Sequence, residues 1–177
     1  MHIETYEEKQ VVRQTEAQKL RAKFPHLYPT SASIGGYVIA AKNCRVELKR
    51  AFPGVKFSVR SESYAGGNSI WACWTDGPTS KDVDAIIQKY SGGSFDGMDD
   101  LYTYAATAWT DAFGDAKYVF ANRHYSDEFV ASVIEALRSQ YGTIDGVLAL
   151  TVHDYNQGFV RDPWQRILNT TLYDTKS

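Results

Sequence analysis

With 177 residues, 44% of them hydrophobic and 23% charged, the chain has room for one domain with its own core and lies outside the compositions of disordered or collagen-like proteins. A net charge of −2 argues against attraction to nucleic acid over the whole surface, and no stretch approaches the roughly 18 apolar residues of a membrane span. The opening MHIETYEEKQ is charged and has no apolar run, so it is not read as a signal peptide, and a cytoplasmic protein is expected.

Residues 4–24 are rich in Glu, Lys, Gln and Arg and predict a helical arm whose thin apolar stripe is Val11, Val12, Leu20 and Phe24. Two prolines and a Ser/Gly cluster make 25–36 a linker, so 1–36 reads as arm and linker and 37–177 as a single α+β domain. Helical spacing returns from Tyr37 to Phe52, with Val38, Ala41, Val46, Leu48 and Phe52 available for burial, and Pro53-Gly54 ends it. Lys42, Arg45 and Lys49 share one face of that helix, either a solvated surface or a contact for phosphates or an acidic protein.

The segment VKFSVRSESY alternates, setting Val55, Phe57 and Val59 against Lys56, Ser58 and Arg60. AGGN then turns the chain into SIWACWTD, a β-hairpin with one core face and an opposite face offering Lys56, Arg60, Tyr64 and Trp71. Thr79 is placed to cap a helix carrying Val83, Ile86, Ile87 and Tyr90, which should pack on the apolar side of the hairpin. GGSFDGMDDLYTY reads as an acidic, glycine-rich turn, and 101–115 carries no clear signal. It lacks the ligand order of a calcium loop and the GK[ST] of a phosphate loop, so neither metal nor cofactor is expected.

KYVFANR predicts a strand at 117–123, and Ser126 caps a helix with Phe129, Val130, Val133, Leu137 and Tyr141 on one side. A further strand at 147–153 and a short helix opening at Asp162-Pro163, docked by Trp164, Ile167 and Leu168, complete an α+β fold of antiparallel hairpin and amphipathic helices.

The segment IAAKNCRVELKRAFPGVKFSVRSESYAGGNSIWACWTDGP, continuing through SGGSFDGMDDLY to FGDAKYVFANRHYS, resembles the large polyvalent protein-associated domain numbered twenty-nine, over about 38–126. FPGVKFSVRS, WTDGP and GGSFDGM carry the likeness. It implies a domain found in phages, plasmids and other mobile elements, within very large multidomain proteins and as small free-standing ones. The proposed role is to establish the element in a new host, including countering host defence, and no catalytic residues come with it. The charged arm and the C-terminal strand and helix are additions to that pattern.

No nucleophile and base stand in a recognisable order. His2, His26, His124 and His153 are scattered, His153-Asp154 has no Ser or Cys placed beside it, and Cys44 and Cys73 sit where reduced, buried thiols are expected. A binding protein is therefore expected rather than an enzyme. One candidate surface is acidic: Asp82, Asp84, Asp96, Asp99 and Asp100 would meet a basic channel on a host defence protein. The other is basic and aromatic: Lys42, Arg45, Lys49, Lys56 and Arg60 would hold phosphates while Tyr64 and Trp71 stack bases. A third reading is a homo-oligomeric scaffold paired through the arm.

Overall fold

The structure is a computed structural model that describes residues 5–96, 101–104, 106–142, 150–159 and 164–177, with the backbone alone at 94–96 and 101–104. In chain order these form α1 (Tyr6–Lys23), α2 (Gly36–Ala51), β1 (Ser58–Tyr64), β2 (Gly67–Thr75) and α3 (Ser80–Ile87) with a 3-10 turn at Gln88–Tyr90. Then come β3 (Gly93–Asp96), β4 (Leu101–Tyr104), α4 (Ala108–Phe113), β5 (Tyr118–His124), α5 (Asp127–Tyr141), α6 (Val152–Gln157) and α7 (Trp164–Asp174). The class is α+β, and no helix among the described residues is long and apolar enough to cross a membrane. The chain forms two compact units, Met1–Cys73 with Asp82–Asn122 and Trp74–Lys81 with Arg123–Ser177.

In the first unit β1 and β2 pair antiparallel from Ser58↔Cys73 to Tyr64↔Gly67, leaving Ala65-Gly66 as the loop. Gly66 sits at φ 96°, which a residue without a Cβ adopts at no steric cost. β5 lies on the other side of β2, so β1 and β5 are the sheet's edges. The expected alternation holds: Val59 is buried between exposed Ser58 and Arg60, and Val55 and Phe57 are half-buried. Val59, Ile70, Ala72 and Val119 make the inner face. The helix found along β1 is α2, which buries Ile39, Ala40, Ala41, Cys44 and Leu48.

Buried Asn43 ties the linker to this core. Its Oδ1 accepts from the Tyr28 N–H at 2.7 Å, and its Nδ2 donates to the carbonyls of Tyr28 and Phe113 at 2.9 and 3.0 Å. Gly114, at φ 82°, ends α4 where any Cβ would collide with the Gly36 carbonyl oxygen, so only glycine lets α4 meet the start of α2 so closely.

α1 corrects the expectation for the arm. Thr5 and Glu8 form a capping box at its start. Val11 and Val12, however, are 63% and 56% exposed, and the helix buries only Ala17. α1 lies along α4 through a polar stripe: Arg13 Nε meets Asp111 Oδ2 at 2.5 Å, and Arg21 donates to the carbonyls of Ala112 and Asp111 and to Thr30 Oγ1. Those carbonyls belong to the last turn of α4, whose C=O groups have no partner within the helix. Phe24 alone of the expected stripe joins an aromatic cluster, 5.2 Å from Trp109 and 6.3 Å from Phe113 between ring centroids.

Two further expectations change. The glycine-rich turn and the unassigned stretch after it contain a hairpin, β3 with β4, paired from Gly93↔Tyr104 to Asp96↔Leu101, followed by α4. The strand expected at 147–153 has 147–149 outside the described residues, and Val152-His153 begin α6, because the Thr151 hydroxyl accepts from the Asp154 N–H at 3.1 Å and starts a helix there.

The second unit is built on α5, α6 and α7. Ser126 caps α5 as expected, accepting from the Phe129 N–H at 3.1 Å. Phe129, Val130, Val133, Ile134 and Leu137 pack with Leu150, Trp164, Leu168 and Leu172, each large side chain contributing about 1.5–3 kcal/mol when buried. The expected short C-terminal helix is the 11-residue α7; Asp162-Pro163, read as its opening, lie outside the described residues.

Candidate functional site

Alternation along the strands sends Arg60, Glu62 and Tyr64 of β1, Ser69, Trp71 and Cys73 of β2, and Tyr118, Phe120 and Asn122 of β5 to the outer face of the sheet. Arg60 stands opposite Trp71 in the register. The Trp71 and Phe120 rings lie 4.3 Å apart at 31°, and Phe120 and Tyr118 lie 6.0 Å apart at 14°. Trp71 Nε1 donates to Ser69 Oγ at 3.1 Å, which draws the indole along its strand over the buried serine. These rings stay open to solvent: Tyr64 is 47%, Trp71 36% and Phe120 39% exposed. A cation, an indole and a phenyl thus cross the three strands in one row. Sequence reading identified Arg60, Tyr64 and Trp71 but missed Tyr118 and Phe120; the alternation in KYVFANR carried the signal, and the pairing of β5 with β2 was needed to use it.

Lys42, Arg45 and Lys49 are all exposed on α2. Arg45 Nη2 donates to the Val59 carbonyl at the free edge of β1, so the cationic helix face meets the sheet beside Arg60. Lys42 and Lys49 extend that face by one turn in either direction, the Lys42 ammonium lying 5.9 Å from the Tyr28 ring. Lys56 is exposed just before β1. Lys117 Nζ donates to the Gly66 carbonyl at 3.0 Å, adding a cation at the hairpin tip near Tyr64.

The acidic candidates do not assemble in the same way. Asp84 accepts from Gln88 Nε2 at 3.0 Å and Asp82 is half-buried and engaged, while the side chain of Asp96 and the whole of Asp99 and Asp100 lie outside the described residues. Among the described residues no cluster of His, Cys, Asp or Glu could hold a metal ion. Asp154 accepts from the Thr151 hydroxyl at 2.5 Å, which makes it part of a helix cap, and His153 is exposed. Both cysteines are free; Cys44 is fully buried, and burial, helped by the Glu47 carboxylate, pushes its thiol up to about 12.

Glu47 anchors the inner side of α2, accepting from Tyr90 Oη and Lys89 Nζ, each at 2.6 Å, while the Lys89 ammonium lies 4.2 Å from the Trp109 ring. Burial, with the Glu47 carboxylate adding to it, raises the Tyr90 phenol far above its ordinary value, so it keeps its proton and is the hydrogen-bond donor to Glu47.

The WTDGP segment is architectural. Trp74 Nε1 donates to the Pro78 carbonyl at 3.0 Å, and Asp76 adopts a positive φ of 58°. That turn lets the Asp76 N–H reach the His124 carbonyl at 2.9 Å and its Oδ1 accept from the Ser126 N–H at 2.8 Å. Arg123 fills the space around it, donating to the carbonyls of Asp76, Gly77, Leu172 and Thr175. The guanidinium also lies 5.1 and 5.2 Å from the Tyr125 and Phe129 rings.

No curated protein and no solved structure matches this sequence. Residues 38–126 match the family described as large polyvalent protein associated domain 29. That segment runs from α2 to Ser126 and contains every residue of the basic and aromatic surface. It covers just over half of the chain, which therefore belongs to the large polyvalent protein associated domain 29 family, a domain associated with mobile elements.

Proposed function

We propose that this protein binds single-stranded nucleic acid on the outer face of its three-stranded sheet, without catalysis. The row Arg60–Trp71–Phe120 carries the reading. Trp71 packs on Phe120 and stays open to solvent, so its indole offers a platform for a base, a contact worth about 1–3 kcal/mol per base. Arg60 and the α2 cations beside the β1 edge supply phosphate contacts along the same path. Cys44 is buried and un-ionised and Asp154 caps a helix, which supports binding without chemistry.

The test is a titration against labelled single-stranded and duplex DNA and RNA at low and physiological salt. Single strands are expected to bind with strong salt dependence, and Trp71→Ala or Phe120→Ala to weaken binding about tenfold while the variants stay folded. Absence of binding to any strand at low salt would sink the proposal.

A second reading has one observation in its favour. Exposed Trp, Tyr and Arg side chains are also the residues that anchor protein interfaces, so the same face could take a host defence protein, in keeping with the mobile-element association. Protein capture that is lost in Trp71→Ala, without nucleic-acid binding, would favour it.

A further inference from the structure

We propose that a cavity of about 400 Å³ in the first unit, where the ends of α1 and α2 meet α3, binds a small organic anion with a flat apolar body. Its lining includes Phe24, His26, Glu47, Arg50, Ile86 and Lys89. Phe24 and Ile86 supply an apolar wall, and Phe24 and His26 meet edge to face with ring centroids 6.1 Å apart. The volume falls in the range of small-molecule sites, which pair such walls with a few placed polar groups.

The charge balance selects the ligand. Glu47 is the lone carboxylate of the lining, and its two oxygens are already taken by Lys89 Nζ and Tyr90 Oη. It is therefore neutralised rather than presented to the cavity. Lys89 has three donors and spends one on Glu47. Arg50 is exposed at the rim and is joined there by the His26 imidazole. An incoming carboxylate, sulfonate or phosphate would meet these donors while its apolar body lay against the wall of Phe24 and Ile86.

A larger cavity of about 640 Å³ between α1 and α4 does not offer this, because Ala17 is the one apolar side chain of its lining and no wall is there for a flat apolar body. Phe24 and His26 also precede the family segment, whereas Glu47, Arg50 and Lys89 belong to it. The pocket thus joins side chains from the arm and linker to charged residues of the matched segment.

The probe is 1-anilinonaphthalene-8-sulfonate, an aromatic monoanion that fluoresces when bound in an apolar site, titrated into the native 177-residue chain. One site per chain is expected. Arg50→Glu and the cavity-filling Ala85→Trp should each weaken it about tenfold or more, the loss of one charge-assisted contact or of the space itself. Lys19→Glu, away from the cavity, should leave it unchanged. Trp71→Ala should too, which separates this site from the sheet face, and circular dichroism would confirm that each variant is folded. No fluorescence gain with the native protein, or a gain that survives both Arg50→Glu and Ala85→Trp, would overturn the proposal.

Discussion

Helices α1 and α5 are comparable in length, at 18 and 15 residues, and both open on a hydroxyl cap, yet different forces hold them. α5 buries five apolar side chains in a continuous core. α1 buries one alanine, leaves Val11 and Val12 in solvent, and is latched through two arginines to a carboxylate and the carbonyls of α4. Apolar burial is non-directional and proportional to area, whereas a guanidinium latch works only if its acceptors are in place. α5 can tolerate small shifts that α1 cannot.

The comparison breaks most visibly in the second unit's core. Leu168, fully buried in the cluster that receives α5, should cost about 3 kcal/mol when changed to alanine, read as a lower urea midpoint with an unchanged slope. Arg21→Met keeps most of the aliphatic stem and removes three hydrogen bonds, so a smaller loss of about 1–2 kcal/mol is expected. Hydrogen exchange should show the α1 amides opening first; equal protection of α1 in this variant would mean that packing, not the latch, holds the arm. Smallest of all, Val11→Ser with Val12→Ser should change stability by no more than about 0.5 kcal/mol. A larger loss that grew with protein concentration in sedimentation would show these valines covered by a second copy, the scaffold reading of the arm.

The same contrast explains what the sequence made legible. α5, α7 and the first hairpin were readable because their apolar residues recur at 3.6 or 2, and their caps and turn residues lie within a few positions. The latch of α1 joins Arg13 to Asp111 and Arg21 to Ala112, partners 98 and 91 residues apart that no local period announces. The thin stripe in α1 was the one local sign that something other than apolar packing held it. Val152-His153 were misread because a β-branched residue and a polar neighbour suit a strand, while a single hydroxyl at Thr151 decided for helix. At the candidate site Lys42, Arg45, Lys49, Lys56, Arg60 and the β1–β2 aromatics could be found in sequence, since they belong to one helix and the hairpin that follows it, whereas Lys117 could not. Tyr118 and Phe120 could not be placed beside them until the order β1-β2-β5 was known.

The four carbonyls around Arg123 carry a consequence for cutting and grafting this family. Two of them, Asp76 and Gly77, come from the matched segment, and the other two, Leu172 of α7 and Thr175 just after it, from beyond that segment. A fragment ending at Ser126 would keep the guanidinium and lose half of its acceptors, along with the Phe129 ring beneath it. Residues 38–126 transplanted alone are thus expected to behave as an unfinished joint at Arg123, to be made good only by a following segment that offers backbone oxygens of its own.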